Sequence, residues 1–234
     1  YALVGLPALL KPGLYEMGLH VRVEEGGAEV SLPLSLLVSA GRFSFERIDL
    51  PPSRQGLSNS ELAQVERIKI AEARVVRSPA RHWRLPFAFP LHAEVSSYYG
   101  SRRSYGGGAF NTYHAGVDLN TSEGTPVQAP AAGVVVLAET FAVRGKVVMI
   151  DHGWGVLSGY WHLSHIEAVV GQEVARGQVI GYVGNTGSST GPHLHWEMWV
   201  NGVAVDPLQW VKPFSVVSSL SADSGLSGLL KDSE

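Results

Sequence analysis

From about residue 91 to residue 210 the chain is a succession of short strand-like runs separated by glycine turns, and this pattern restricts the fold more than any other feature. Val134 to Leu137, Lys146 to Ile150, Val179 to Val183 and His193 to Val200 are the clearest runs, dense in branched and aromatic residues. Two segments rhyme, Gly124-x-x-Val127…Gly133-x-Val135 and Gly171-x-x-Val174…Gly177-x-Val179. An internal duplication in a β fold leaves such a trace. Asn201-Gly202 predicts a hairpin turn after the last strand. The expected fold is therefore mainly β.

The run from His193 to Val200 also carries chemistry. Successive strand side chains point to opposite faces, so His193 and His195 share one face while Leu194 and Trp196 take the other. Two imidazoles on one face suit a metal, or a metal ligand beside a proton-transfer group. Upstream, His114-Ala115-Gly116-Val117-Asp118 puts a histidine and a carboxylate four apart, again on one face of an extended segment. Two histidine nitrogens, one carboxylate oxygen and an open fourth position make a catalytic zinc site. Of the other histidines, His82 and His92 read as surface or packing residues, His20 as a strand-face residue, His165 as lying outside the site, and His152 in Asp151-His152-Gly153 as a turn residue. His162 ends the aromatic run Gly159-Tyr160-Trp161 and fits a core histidine as well as a site residue.

Composition narrows the class. With 45% hydrophobic and 17% charged residues, 234 residues can bury an ordinary core. A formal charge of -3 gives no electrostatic footprint for nucleic acid. The absence of cysteine removes thiolate zinc sites, cysteine nucleophiles and disulfides. No apolar run is long enough for a transmembrane segment. The chain opens at Tyr1, within an apolar segment, which reads as a processed or trimmed chain whose targeting signal is out of view.

The organisation reads as four parts. Residues 1–57 form a small β-sandwich-like module with strands expected at Gly18 to Val23, Ala28 to Leu37 and Arg42 to Leu50, and a turn at Glu25-Gly26-Gly27. Residues 58–82 are a linker helix and connection. Ser58-Asn59-Ser60-Glu61 has capping-box spacing, and Leu62, Val65, Ile68 or Lys69, Glu72 and Val76 follow a helical period. The block Trp83 to Pro90 is expected to pack that helix onto the next domain. Residues 83–212 hold the site, and 213–234 form a tail without assigned function. The first 57 residues contain no cluster of acids, bases or nucleophiles, so the chemistry is expected to lie wholly in the third part.

His114-x-Gly116-x-Asp118, then Tyr160-x-His162-Leu163-Ser164, then Gly187-x-x-Thr190-Gly191-Pro192-His193-Leu194-His195 resembles the lysostaphin-type (LytM-like) zinc endopeptidases in order, spacing and intervening sequence. The resemblance covers roughly residues 90 to 210. It implies that His114, Asp118 and His195 bind one zinc ion and that His162 and His193 stay off the metal in the catalytic centre. It implies a duplicated β hybrid motif, a peptidoglycan peptide as substrate, and an extracytoplasmic location.

Arg102, following Tyr98-Tyr99-Gly100-Ser101, resembles the family's glycine-arginine approach to the first ligand. An extended substrate is accordingly expected in a groove with Tyr98, Tyr99, Arg102 and Tyr105 on one side, and Tyr160 and the Gly184 to Thr190 loop on the other. Two other roles use the same fold. A non-catalytic regulatory or binding module would activate another cell-wall hydrolase. A phosphocarrier of the glucose-permease type would also use paired histidines, but it has no need of Asp118 in this motif. The sequence leaves the bond cut and the oligomeric state open.

Overall fold

A computed structural model describes residues 3–22, 29–57 and 61–212. Two antiparallel strands come first, β1 (Gly13–Arg22) and β2 (Glu29–Val38), followed by β3 (Phe45–Ile48) and the helix α1 (Glu61–Arg74). The remaining strands are β4 (Glu94–Ser97), β5 (Arg102–Tyr105), β6 (Thr112–Tyr113), β7 (Gly116–Asn120), β8 (Pro126–Gln128), β9 (Gly133–Phe141) and β10 (Gly145–Gly153), then β11 (Val156–Leu163), β12 (His165–Ile166), β13 (Glu173–Val174), β14 (Val179–Tyr182), β15 (His193–Val200) and β16 (Val203–Val205). The turn at Glu25-Gly26-Gly27, the cap residues Ser58, Asn59 and Ser60, and the tail 213–234 lie outside the described residues.

The main sheet runs β13-β9-β10-β11-β15-β7-β4, with β16 also paired to β15. Strands β10 and β11 carry apolar residues on both faces, as strands covered from two sides do. On one face Tyr160, Leu194, Trp196 and Met198 join Trp83, Phe87, Leu91 and Trp210 in the larger core cluster. On the other, Leu157, Trp161 and Trp199 pack with Ile70 and Ala73 of α1. The Trp83 to Pro90 block thus closes the face opposite the helix instead of joining helix to sheet. Its aromatic rings find partners in Trp210 and Trp154. The two segments that rhyme in sequence lie against each other, β8 pairing with β14 and β9 with β13.

Helix α1 turns a different face inward from the one its apolar period predicts. Ala63, Glu66, Ile70 and Ala73 are buried, while Leu62, Val65 and Ile68 are exposed. The small alanines let the helix approach the sheet closely, and Glu66 finds partners beneath it. Among the described residues of 1–57, β1 and β2 form a two-stranded sheet, and β3 leaves it to pair in parallel with β5 of the neighbouring three-stranded sheet.

Gly116 marks a very tight contact between two strands of the main sheet. A Cβ there would stand 2.2 Å from the Trp196 carbonyl oxygen, on the backbone of the adjacent strand. Nothing but glycine lets β7 and β15 pair at this point. Gly116→Ala is therefore expected to destabilise the fold by about 3 kcal/mol. For a chain of this size that lowers the melting temperature by roughly 6–12 °C. A thermal melt within about 2 °C of wild type would show that the approach is not limiting.

Candidate metal centre

β7 and β15 are antiparallel and in register, so His195 lies directly opposite Asp118. Opposed residues share a face and bring their side chains within contact distance. His114 enters from the segment before β7. Its main chain is held on both sides, its amide donating to the Ser101 carbonyl and its carbonyl accepting from the Gly100 amide, each at 2.8 Å. Three ligand atoms converge as a result. His114 Nε2 stands 3.0 Å from Asp118 Oδ1 and 2.8 Å from His195 Nδ1, and the last two are 2.6 Å apart. All three residues are buried, and together they form a group able to hold a metal ion.

Outer partners decide which nitrogen of each imidazole is offered. His114 Nδ1–H donates to the Tyr98 carbonyl at 3.1 Å, with Ser97 Oγ at 2.9 Å, which leaves Nε2 with its lone pair. His195 Nε2–H donates to Glu197 Oε1 at 2.8 Å and leaves Nδ1 free. Glu197 also accepts from Trp161 Nε1 at 3.0 Å. A hydrogen bond of this kind on the far nitrogen is the usual way a metal-binding histidine is oriented. Arg103 Nη2 donates to Asp118 Oδ2 at 2.8 Å, directing the other oxygen toward the histidines.

The electrostatics agree with a cation site. Burial alone would lift the Asp118 carboxyl, but the attraction of His195 and hydrogen bonds from His114 and His195 hold it well below the usual range. Glu197 is likewise opposed by burial, yet its bond to His195 brings it down to about 2. Burial disfavours protonated His195, but Asp118 and Glu197 outweigh it and raise its affinity for a proton. A position that draws a proton between an imidazole and a carboxylate draws a metal cation for the same reason.

Two further imidazoles border this triangle. His193 follows the alternation of β15 onto the face of His195, and its Nε2 lies 3.9 Å from Asp118 Oδ1. Its Nδ1–H donates to the Gly191 carbonyl at 2.8 Å. His162 reaches the site by a different route. Trp161 already faces the centre, so strict alternation would turn His162 into the opposite core. Instead His162 adopts φ +62° beside a register shift in the β10–β11 ladder, which swings it back. Its Nδ1–H donates to the Thr186 carbonyl at 2.7 Å, and its ring centroid lies 4.9 Å from that of His193. Burial, then the neighbouring His193 and His195, push His162 down to about 3, and burial lowers His193 as well. Both rings are neutral near pH 7.

The expected groove walls need correction. Tyr160 is 0% exposed in the core, with its hydroxyl 2.7 Å from Ser158 Oγ, because it alternates with Trp161 onto the far face. Tyr99 turns away and donates to the Ala204 carbonyl at 2.8 Å. Tyr98 is exposed and serves the site through its backbone carbonyl. Arg102 donates to the Phe110 carbonyl, while its neighbour Arg103 takes the site-facing position on β5. A cavity of about 460 Å³ opens beside the centre between Arg103, Tyr105 and Tyr113 on one side and Val143, Arg144 and Ser188 on the other. A second, of about 270 Å³, lies beyond Asp118 and is bordered by Ser96, Asn120, Thr190 and His193. His152, expected in a turn, is fully buried in β10, with its ring nitrogens engaging the Ala132 carbonyl and Ser158 Oγ.

Residues outside the expected site region also reach it. Glu46 of β3 accepts from Arg103 Nε at 3.2 Å and from Ser97 Oγ at 2.8 Å. Leu50 lines the larger cavity. Arg54 donates to Asn185 Oδ1 and to the Asn185 and Ser189 carbonyls on the facing wall. The segment from Glu46 to Arg54 therefore bridges the two walls. Glu197 was legible as the same-face residue two after His195, whereas Glu46, Leu50 and Arg54 have no sequence signal of their own.

A His/Asp/His triangle able to hold a metal ion, with two flanking imidazoles on a mainly β fold, has the donor set of a metallopeptidase centre. Residues 112–207 match peptidase family M23. A putative peptidase M23 from Pseudomonas aeruginosa superposes with a TM-score of 0.68 at 32% identity, covering 91% of this chain and 78% of that one. The chain belongs to peptidase family M23. A zinc-containing peptidase from Vibrio cholerae superposes with a TM-score of 0.52 at 31% identity over 56% of this chain and 41% of its own. Peptidoglycan DD-endopeptidase ShyA of Vibrio cholerae is 45% identical over 96 residues, 41% of this chain and 22% of its own length. The matches span between 22% and 33% of the curated relatives' length.

The role of Glu197 can be measured directly. Glu197→Gln, still able to accept from one side, is expected to lower zinc affinity by about 10–100-fold with the fold retained. Competition with a chromophoric chelator reads the affinity, and an unchanged value would remove Glu197 from the orientation of His195.

Proposed function

We propose that this chain is a zinc-dependent endopeptidase that hydrolyses peptide cross-links or bridges of bacterial peptidoglycan, acting outside the cytoplasm where that polymer lies. The observation that carries the reading is the convergence of His114 Nε2, Asp118 Oδ1 and His195 Nδ1, with the far nitrogen of each histidine already engaged. Two imidazole nitrogens and one carboxylate oxygen are the donor set of a zinc that keeps a position open for catalysis. The endopeptidase name of a relative 45% identical across the site region supports the substrate class.

In this reading His114, Asp118 and His195 hold the ion. A zinc ion held there would supply a Lewis acid for the scissile carbonyl and would make water acidic enough to lose a proton near neutral pH. His162 and His193, neutral and anchored through Nδ1, each keep Nε2 unprotonated, so either could take one proton from the attacking water and pass it to the departing amine. The imidazole that holds the proton could also hydrogen-bond the developing oxyanion through it. The peptide runs between the two cavities, and Arg144 and Arg103 in the larger one offer cations to stem-peptide carboxylates. Substitution tests the assignment. Asp118→Ala is expected to lose both zinc and activity. His162→Ala and His193→Ala keep one zinc per chain while hydrolysis falls by about 10²–10⁴-fold. Elemental analysis and mass spectrometry of digested cell wall read both quantities, and near-normal digestion by either histidine variant would remove that residue from the mechanism.

The division into a module at 1–57, a connection at 58–82, a peptidase unit at 83–212 and a tail belongs to the same reading, with one refinement. The Glu46–Arg54 segment spans the groove, so a long substrate enters as that segment yields. A hydrogen bond to a charged group contributes about 1.5–3 kcal/mol, and Arg54 makes three. Arg54→Ala is therefore expected to speed cleavage of cross-linked muropeptides at sub-saturating concentration by about tenfold. An equal or lower rate would show that the segment does not restrict entry.

A further inference from the structure

Glu66 lies in the middle of α1 and is 1% exposed. A carboxylate at that depth is costly unless its oxygens are engaged. Oε2 accepts from the Val143 amide at 2.9 Å, and Oε1 accepts from the Arg144 amide at 3.2 Å and from Arg144 Nη1 at 2.7 Å. All three donors belong to the turn that joins β9 to β10.

The carbonyls of the same turn face the catalytic side. The Arg144 carbonyl accepts from the His162 amide at 2.9 Å, and the Val143 carbonyl accepts from the Ser188 amide at 2.7 Å. Gly145 is pressed against Thr186, where a Cβ would stand 2.2 Å from Oγ1. The Thr186 carbonyl in turn holds the His162 ring. His162 itself sits at φ +62°. A non-glycine residue in that region costs about 1–3 kcal/mol and persists only where its surroundings over-determine it. The turn supplies part of that constraint, and Glu66 holds the turn from behind.

We infer that Glu66 is a positioning residue for His162, so that the working unit extends beyond the family match into helix α1. The inference rests on the proposed proton-transfer role of His162, but its structural part can be tested apart from activity. It also means that a fragment beginning after the helix loses the clamp.

The test uses the full chain. Glu66→Gln keeps the shape but replaces one acceptor with a donor, so at least one turn donor loses its partner. Amide exchange at His162 and Ser188, followed by NMR, is expected to quicken by about tenfold or more while Val148 and Met149 keep their protection. The kcat on a soluble muropeptide falls by roughly tenfold to a hundredfold, with zinc content held. Ile70→Val, on the same helix but clear of the turn, serves as the control for lost stability and should change neither readout. Exchange at His162 and Ser188 equal to the Ile70→Val control overturns the clamp. Faster exchange with kcat equal to that control overturns its part in catalysis. If the wild-type chain cleaves no muropeptide, the functional reading fails, while the exchange result still decides whether Glu66 fixes His162. Glu66→Asp, which keeps the charge and withdraws it by one methylene, gives the same two readouts if the amide variant does not fold.

Discussion

The structure depends on one cross-strand opposition, His195 against Asp118 in the β7–β15 ladder. A strand alternates its side chains between faces, so a slip of one residue would send both groups into the opposite core. Register is secured by what lies between them. Leu194 and Trp196 are fully buried on the other face, and the Trp196 carbonyl leaves no room for a side chain at Gly116. The apolar packing of one face thereby sets the polar geometry of the other. Once the strands pair, the buried carboxylate and imidazoles satisfy one another, and Glu197, Arg103 and the Tyr98 carbonyl determine which atoms they present.

His162 belongs to the same centre but obeys a different constraint. Regular β geometry would exclude it, since Trp161 already occupies the site face of β11. The left-handed backbone and the register shift reverse its direction. Such a conformation needs support, which comes from the β9–β10 turn and from the 186–188 segment through three backbone bonds and one from the His162 ring. The support makes His162 stiff, and burial keeps it neutral. The proton-transfer role proposed for His162 needs both properties.

The surroundings of the centre come from distant parts of the chain. β3 adds a strand beside β5, Arg54 reaches the loop that carries Ser189, and Glu66 holds the turn that carries Arg144. β3, Arg54 and Glu66 all lie outside the 112–207 family match. The expectation that the first 57 residues and the helix stand apart from the chemistry followed from their lack of clustered acids and bases. Isolated charges nevertheless reach the site, because each finds its partner across the fold and not along the chain.

What the sequence determined by itself is what short-range periodicity encodes. The strand runs and glycine turns implied a mainly β fold, and alternation put His193 with His195 and His114 with Asp118, each pair on one face. Tertiary structure decided the rest, for three physical reasons. A left-handed residue beside a register shift resets alternation, so His162 left the core, whereas Tyr160 entered it by regular alternation. A helix with apolar residues around most of its circumference has no unique inner face, so close approach through Ala63 and Ala73 and the partners of Glu66 chose one against Leu62 and Val65. Two adjacent arginines carry the same signal in sequence, and only the pairing of β5 turned Arg103 toward Asp118 and Arg102 toward Phe110.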